Sequence, residues 1–159
     1  MESLRATLDE KFATYNCKEF IKNDPVSFPH SFTRREDVEI AALLASIIAW
    51  GNRKMILASG RKMFHDIMHS TPYDYVMGSE WEQLDDSLNI HRTFFARDLK
   101  YICRGLRSIY AKHGTMERLF LDCTVWEGIE NLRREMAAAN GGATTRHISN
   151  PVAQKGKPA

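Results

Sequence analysis

The chain has 159 residues, 26% of them charged and 43% hydrophobic, with a formal net charge of +2. That length suits one domain around one core, and so small a charge excludes a polyanionic partner selected by overall charge; any basic character must be local. Cys17, Cys103 and Cys123 are odd in number and lack CxxC spacing, which argues against a disulfide framework or a zinc knuckle. The opening MESLRATLDEK has no apolar signal-peptide core. The longest apolar run is far shorter than the roughly 20 residues that cross a bilayer, so a cytoplasmic protein without a membrane partner is expected.

Leu4, Leu8, Phe12 and Tyr15 recur at helical spacing and predict an amphipathic helix over residues 2–15. After Pro25 and Pro29, Thr33 with Glu36 has the form of a capping box and opens a helix that is apolar from Ile40 to Trp50 except for Ser46. A helix apolar all round belongs in the middle of a bundle. Gly51 fits the left-handed position after that helix, and Asn52 can cap the next one. There Ile56, Gly60, Met63, Phe64 and Ile67 share a face, with Gly60 allowing a close neighbour. Thr71-Pro72 and Ser79 with Glu82 open two short helices. Further helices are predicted over 95–112, stopped by Gly114, and over 115–122 and 124–139. No run alternates with period two for strand length. The fold class is therefore all-α, an irregular multi-helix bundle around a buried central helix. Residues 1–140 form the domain, and 141–159, punctuated by Gly, Thr, Asn and Pro, form a linker-like tail.

Few residues suggest chemistry. His65 and His69 are four apart, like the ligands of an HExxH zinc helix, but Asp66 is short for the general base and no third ligand is apparent. Two surface histidines are the simpler reading, and no metal is expected. There is no GxSxG, P-loop or GxGxxG, so neither a cofactor nor a catalytic residue is assigned. Residues 91–113 carry six cations, Arg92, Arg97, Lys100, Arg104, Arg107 and Lys112, against Asp98 alone. Arg97, Lys100, Arg104 and Arg107 form one helical stripe opposite Leu99, Ile102, Leu106 and Ile109. Such a row could follow phosphates, or it could be a solvated face. Trp50-Gly51-Asn52-Arg53-Lys54 is the second constellation. Its turn could offer helix N-terminal amides and two cations to an anion, or it could be a capped turn with Trp50 in the core.

Together the blocks EFIKNDPVSFPHSFTRREDVEIAALLASIIAWGNRKMI, STPYDYV, HRTFFARDLKYICRGLRSIY and RHISNP resemble an uncharacterised bacterial domain-of-unknown-function family. That family is distantly similar to helix-hairpin-helix DNA glycosylases. The resemblance runs from about residue 8 to residue 151. It implies that the turn Ala49-Trp50-Gly51-Asn52-Arg53 faces DNA and can fill the gap beside a flipped base. In the family an arginine-rich helix, a hairpin and an Asp-bearing segment follow the His-Ile-Ser-x-Pro block, and none of these is present before Ala159. The expectation is thus an N-terminal portion that binds duplex DNA weakly without catalysing a reaction. The rival expectation is a small helical module whose basic face meets an acidic protein. A missing second half would leave apolar surface around Ile40, Leu44, Ile47 and Ile48, which a homodimer would cover.

Overall fold

Helix accounts for most of the chain in the computed structural model, which describes residues 2–148. In chain order α1 (Glu2–Tyr15), α2 (Lys18–Lys22), α3 (Ser27–His30), α4 (Arg35–Ile48) and α5 (Arg53–Arg61) lead into a π-helical turn, Lys62–Ile67. Next come α6 (Pro72–Met77), a 3-10 turn at Glu80–Gln83, and a short antiparallel hairpin of β1 (Asn89–His91) and β2 (Phe94–Phe95). They are followed by α7 (Ala96–His113), a 3-10 turn at Glu117–Phe120 and α8 (Val125–Ala139). The all-α class is as the sequence predicts. The hairpin was not foreseen, because strands of three and two residues are too short to show an alternating pattern.

Two aliphatic faces make the core. Ile40, Leu44 and Ile48 of α4 and Leu99, Ile102, Leu106 and Ile109 of α7 are all fully buried in one cluster. α6 touches both helices and adds Tyr75 and Val76. α8 runs along α7, and Gly105 lets it approach to the Met136 backbone. α4 is not apolar-buried on every side, since Ala42, Ser46 and Ala49 meet water along one edge. Of the expected uncovered patch, Ile40, Leu44 and Ile48 are sealed by this chain's own helices and Ile47 is half-buried against the same core, so little of the apolar surface that motivated a homodimer is exposed.

Helix ends follow the local signals where no stronger partner competes. Asn52 Oδ1 accepts from Lys54 N at 2.9 Å and caps α5 as predicted. Gly51 and Gly114 adopt positive φ, +103° and +77°. The boxes at Thr33 and Ser79 do not form. Their acidic members are taken by arginines: Arg34 Nε donates to Glu36 at 3.2 Å, and Arg104 holds Glu82 through both oxygens at 2.8 and 2.9 Å. A guanidinium–carboxylate fork is stronger than a neutral backbone donor.

Beyond α5 the π-turn places Met63 and Met68, five apart, on the same buried side, and Met68 N donates to Met63 O at 3.0 Å. This ends the helix before His69, whose φ is +52°. His65 instead meets Ser70 Oγ at 2.8 Å, so the two histidines are not paired on one helix face. At the N-terminus α1 forms as predicted, yet Leu4, Leu8, Phe12 and Tyr15 are each more than half exposed. No helix among the described residues is long and apolar enough to cross a membrane.

The segment expected to begin a tail packs onto α7 instead. Tyr101 Oη donates to Ala143 O at 3.0 Å, Thr145 is buried, and Ile148 lies against the core. The remainder of that segment, 149–159, with the end of the RHISNP block, lies outside the described residues.

Two glycines test this packing. A Cβ on Gly60 would stand 2.1 Å from Phe28 Cζ, on a ring already packed at a tilt against Phe64, centroids 5.0 Å apart. Gly60→Ala is expected to cost about 1–3 kcal/mol through overpacking, and a second change, Phe28→Leu, should recover part of it. At Gly105 a Cβ would stand 2.9 Å from Met136 Cγ and 3.1 Å from the Met136 Cα, and alanine's helix propensity, about 0.8–1 kcal/mol in its favour, offsets only part of moving that backbone. Gly105→Ala should therefore be destabilising in urea unfolding, by less than Gly60→Ala.

Candidate nucleic-acid interface

α4 ends one residue before Ala49, and a tight turn with Trp50 N donating to Ile48 O at 2.8 Å brings Trp50 out. Trp50 is 36% exposed, so it is not a core residue. What holds it there is the hairpin. His91 is buried at 2% exposure, with Nε2 3.1 Å from the Trp50 carbonyl and Nδ1 2.9 Å from Ser59 Oγ. A carbonyl only accepts, so Nε2 carries the proton it donates, and in the neutral ring Nδ1 accepts from the serine hydroxyl. The imidazole stands perpendicular to the indole, centroids 5.5 Å apart. One side chain thus ties the turn, α5 and β1 together.

At the hairpin tip Arg92 has a φ of +51°, and its carbonyl accepts from Asn89 Nδ2 at 2.6 Å. Its guanidinium lies over the Trp50 ring, 4.8 Å from the centroid, a contact worth about 0.5–1 kcal/mol at an exposed site. Arg92 Nη1 lies over Gly51, 2.7 Å from the position a Cβ would take. The segment after α8 reaches the same tip. Arg146 Nη2 donates to Thr93 O at 3.0 Å and His147 Nε2 to the same oxygen at 3.2 Å. Thr145 Oγ1 donates to Asp98 Oδ1 at 3.0 Å, while Asp98 Oδ2 accepts from Phe95 N at 3.0 Å and lies 3.8 Å from His147. Asp98 is thereby committed to internal bonds.

The nine residues singled out from sequence divide sharply. Trp50 and Arg92 are in contact, Asn52 and Lys54 follow Trp50 in the turn and the first residues of α5, and Arg97 starts α7 just after the hairpin, its guanidinium 4.5 Å from the Phe95 ring. Arg53 turns aside to Asp24 at 3.9 Å and lines a cleft of about 470 Å³ with Pro25, Pro29, Ala42 and Ile56. Lys100 pairs with Asp86 at 2.7 Å. Arg104 is occupied by Glu82 and by Asn140 Oδ1 at 2.9 Å. Arg107 is exposed. The continuous cationic row is corrected accordingly: two of its four members are neutralised within the chain. The helix-terminus cradle is corrected as well, because Asn52 Oδ1 already occupies the amides of Lys54 and Met55.

Sequence reasoning missed His91 and Arg146. His91 had a visible signal, a histidine between Ile90 and the cation Arg92, but its partners are 32 and 41 residues away. Cys103 offers no alternative chemistry: it is fully buried, and desolvation pushes its thiol well above the usual range. The described residues include no group of three or more His, Cys, Asp or Glu side chains placed to hold a metal.

Gly51 is the test of the turn. Gly51→Ala places a side chain at φ +103° and displaces Arg92, whereas Gly141→Ala, at φ +65°, meets nothing within 4 Å. Each should cost about 1–2 kcal/mol for left-handed backbone. Only Gly51→Ala should change the Trp50 fluorescence.

No curated protein and no solved structure shows a significant match to the chain. Residues 24–158 match a family described as protein of unknown function, DUF2400. The match begins after α2, covers α3 through α8 and leaves out α1 and α2, so it contains every residue of the turn and hairpin just described. The chain belongs to the DUF2400 family.

Proposed function

We propose that this end of the molecule binds DNA. The observation that carries the reading is Arg92 lying over the exposed Trp50, with Lys54 exposed at the start of α5, Arg97 just after the hairpin and Arg146 bonded to its tip, and with no carboxylate paired to any of the four among the described residues. Phosphate contacts from such cations supply sequence-independent affinity, and an exposed aromatic beside one of them offers a face on which an unpaired base can stack. The resemblance to helix-hairpin-helix glycosylases supports the same face, since it assigns the turn at 49–53 to DNA. The function we propose is binding, with no catalytic step assigned to these residues. A basic helix face docking on an acidic protein is the weaker reading, because Glu82 and Asp86 already neutralise the middle of that face.

Salt dependence checks the assignment. Four phosphate contacts correspond to a slope of about −3.6 in log affinity against log salt. Replacing Lys54, Arg92, Arg97 and Arg146 by Gln should remove most of that slope on a duplex. Replacing Lys100 and Arg104 should leave it unchanged. The opposite result would return the interface to the α7 face, and preferential competition by an acidic polypeptide would favour the protein partner.

A further inference from the structure

Given the DNA-binding reading above, on which this inference rests, we propose that Trp50 is a stacking platform for one unpaired nucleobase, covered in the free protein by the Arg92 guanidinium. The indole has an apolar face at the surface, and its backbone is fixed. His91 holds the carbonyl at 3.1 Å, and Gly51 follows at φ +103°. The platform is rigid at its root while its ring meets water. The ring's cover is a side chain with an equally good alternative partner. Arg92 contacts the indole at 4.8 Å and no carboxylate among the described residues. A DNA phosphate offers the guanidinium a charge-assisted fork, stronger than an exposed contact with a ring. Transfer of the guanidinium to phosphate and arrival of a base on the ring are therefore one exchange, in which each polar or aromatic group leaves with a partner.

The geometry also explains why the residue is tryptophan. A leucine at position 50 could end the turn equally well but would give Arg92 no ring to lie on and a base no π-face. Paired bases present edges, not faces, in both grooves, so an intact duplex uses the cations without the platform. Trp126, 60% exposed at the start of α8, has no cation over it among the described residues and is given no such role.

The test uses the full chain carrying Trp126→Phe, so that Trp50 is the exposed fluorophore beside the buried Trp81. Two duplexes are compared, identical except for one extra unpaired thymine. Both are expected to bind with the same salt slope. The bulged one should bind about 5- to 150-fold tighter, the range for one stacked base, and it alone should quench Trp50. Trp50→Phe should keep most of the preference. Trp50→Leu should lose it while keeping the salt slope and a cooperative melt, lowered only by the loss of the Arg92 and His91 ring contacts. Arg92→Gln should lower the slope by about 0.9 on both duplexes and leave quenching intact. Equal affinity for the two duplexes without quenching overturns the platform and leaves DNA binding standing. Absence of binding to either overturns both.

Discussion

The burial of α4's Ile40, Leu44 and Ile48 in one core with α7's Leu99, Ile102, Leu106 and Ile109 fixes everything else in this molecule. Each such side chain contributes roughly 1.5–3 kcal/mol when removed from water. The periodicity of those contacts sets which edge of each helix faces out. It also sets where α4 can stop. Once Ile48 is seated, continuing the helix would carry Trp50 onward along the same axis. The turn at Ala49 instead delivers the indole to the surface beside the hairpin. The exposed aromatic is thus a consequence of where the core ends, and Gly51 makes the change of direction sterically possible.

What sequence could and could not show follows the range of the interactions. Asn52, Gly51 and Gly114 were legible because each depends on its own φ or on bonds within a few residues. The Thr33 box was lost to Arg34, a residue inside the pattern itself, and the Ser79 box to an arginine far outside it. Arg104 reaches Glu82 across 22 residues, and a helical-wheel argument that places it on a free cationic face cannot see that. The same blindness hid His91, whose bonds span 32 and 41 residues, and Arg146, which bonds across 53. The helices were therefore readable, and the arrangement that brings cations to Trp50 was only half so.

α1 stands apart from this scheme. It lies outside the family match, which begins at residue 24, and its side chains are exposed throughout the described part. A helix of 14 residues is near the lower limit for stability in water without tertiary support. Its Leu4, Leu8 and Phe12 make no contribution to the core. The site needs nothing from it.

The long sequence spans of the hairpin contacts have a kinetic meaning. α7 with α8, and α3 with α4, are close in the chain and close in space, so little loop entropy opposes their meeting. The links that assemble the turn, His91 to Trp50 and Ser59, Arg146 to Thr93 and Thr145 to Asp98, each close a loop of 32 to 53 residues. Such contacts cost more loop entropy than those within a helix pair, and unlike the still longer-range α4–α7 contacts they are single hydrogen bonds near the surface. The binding end is accordingly the part most readily opened in sub-global fluctuations. Amide exchange at the hairpin would then run ahead of exchange in α4 and α7, with the interface breathing while the aliphatic core stays shut.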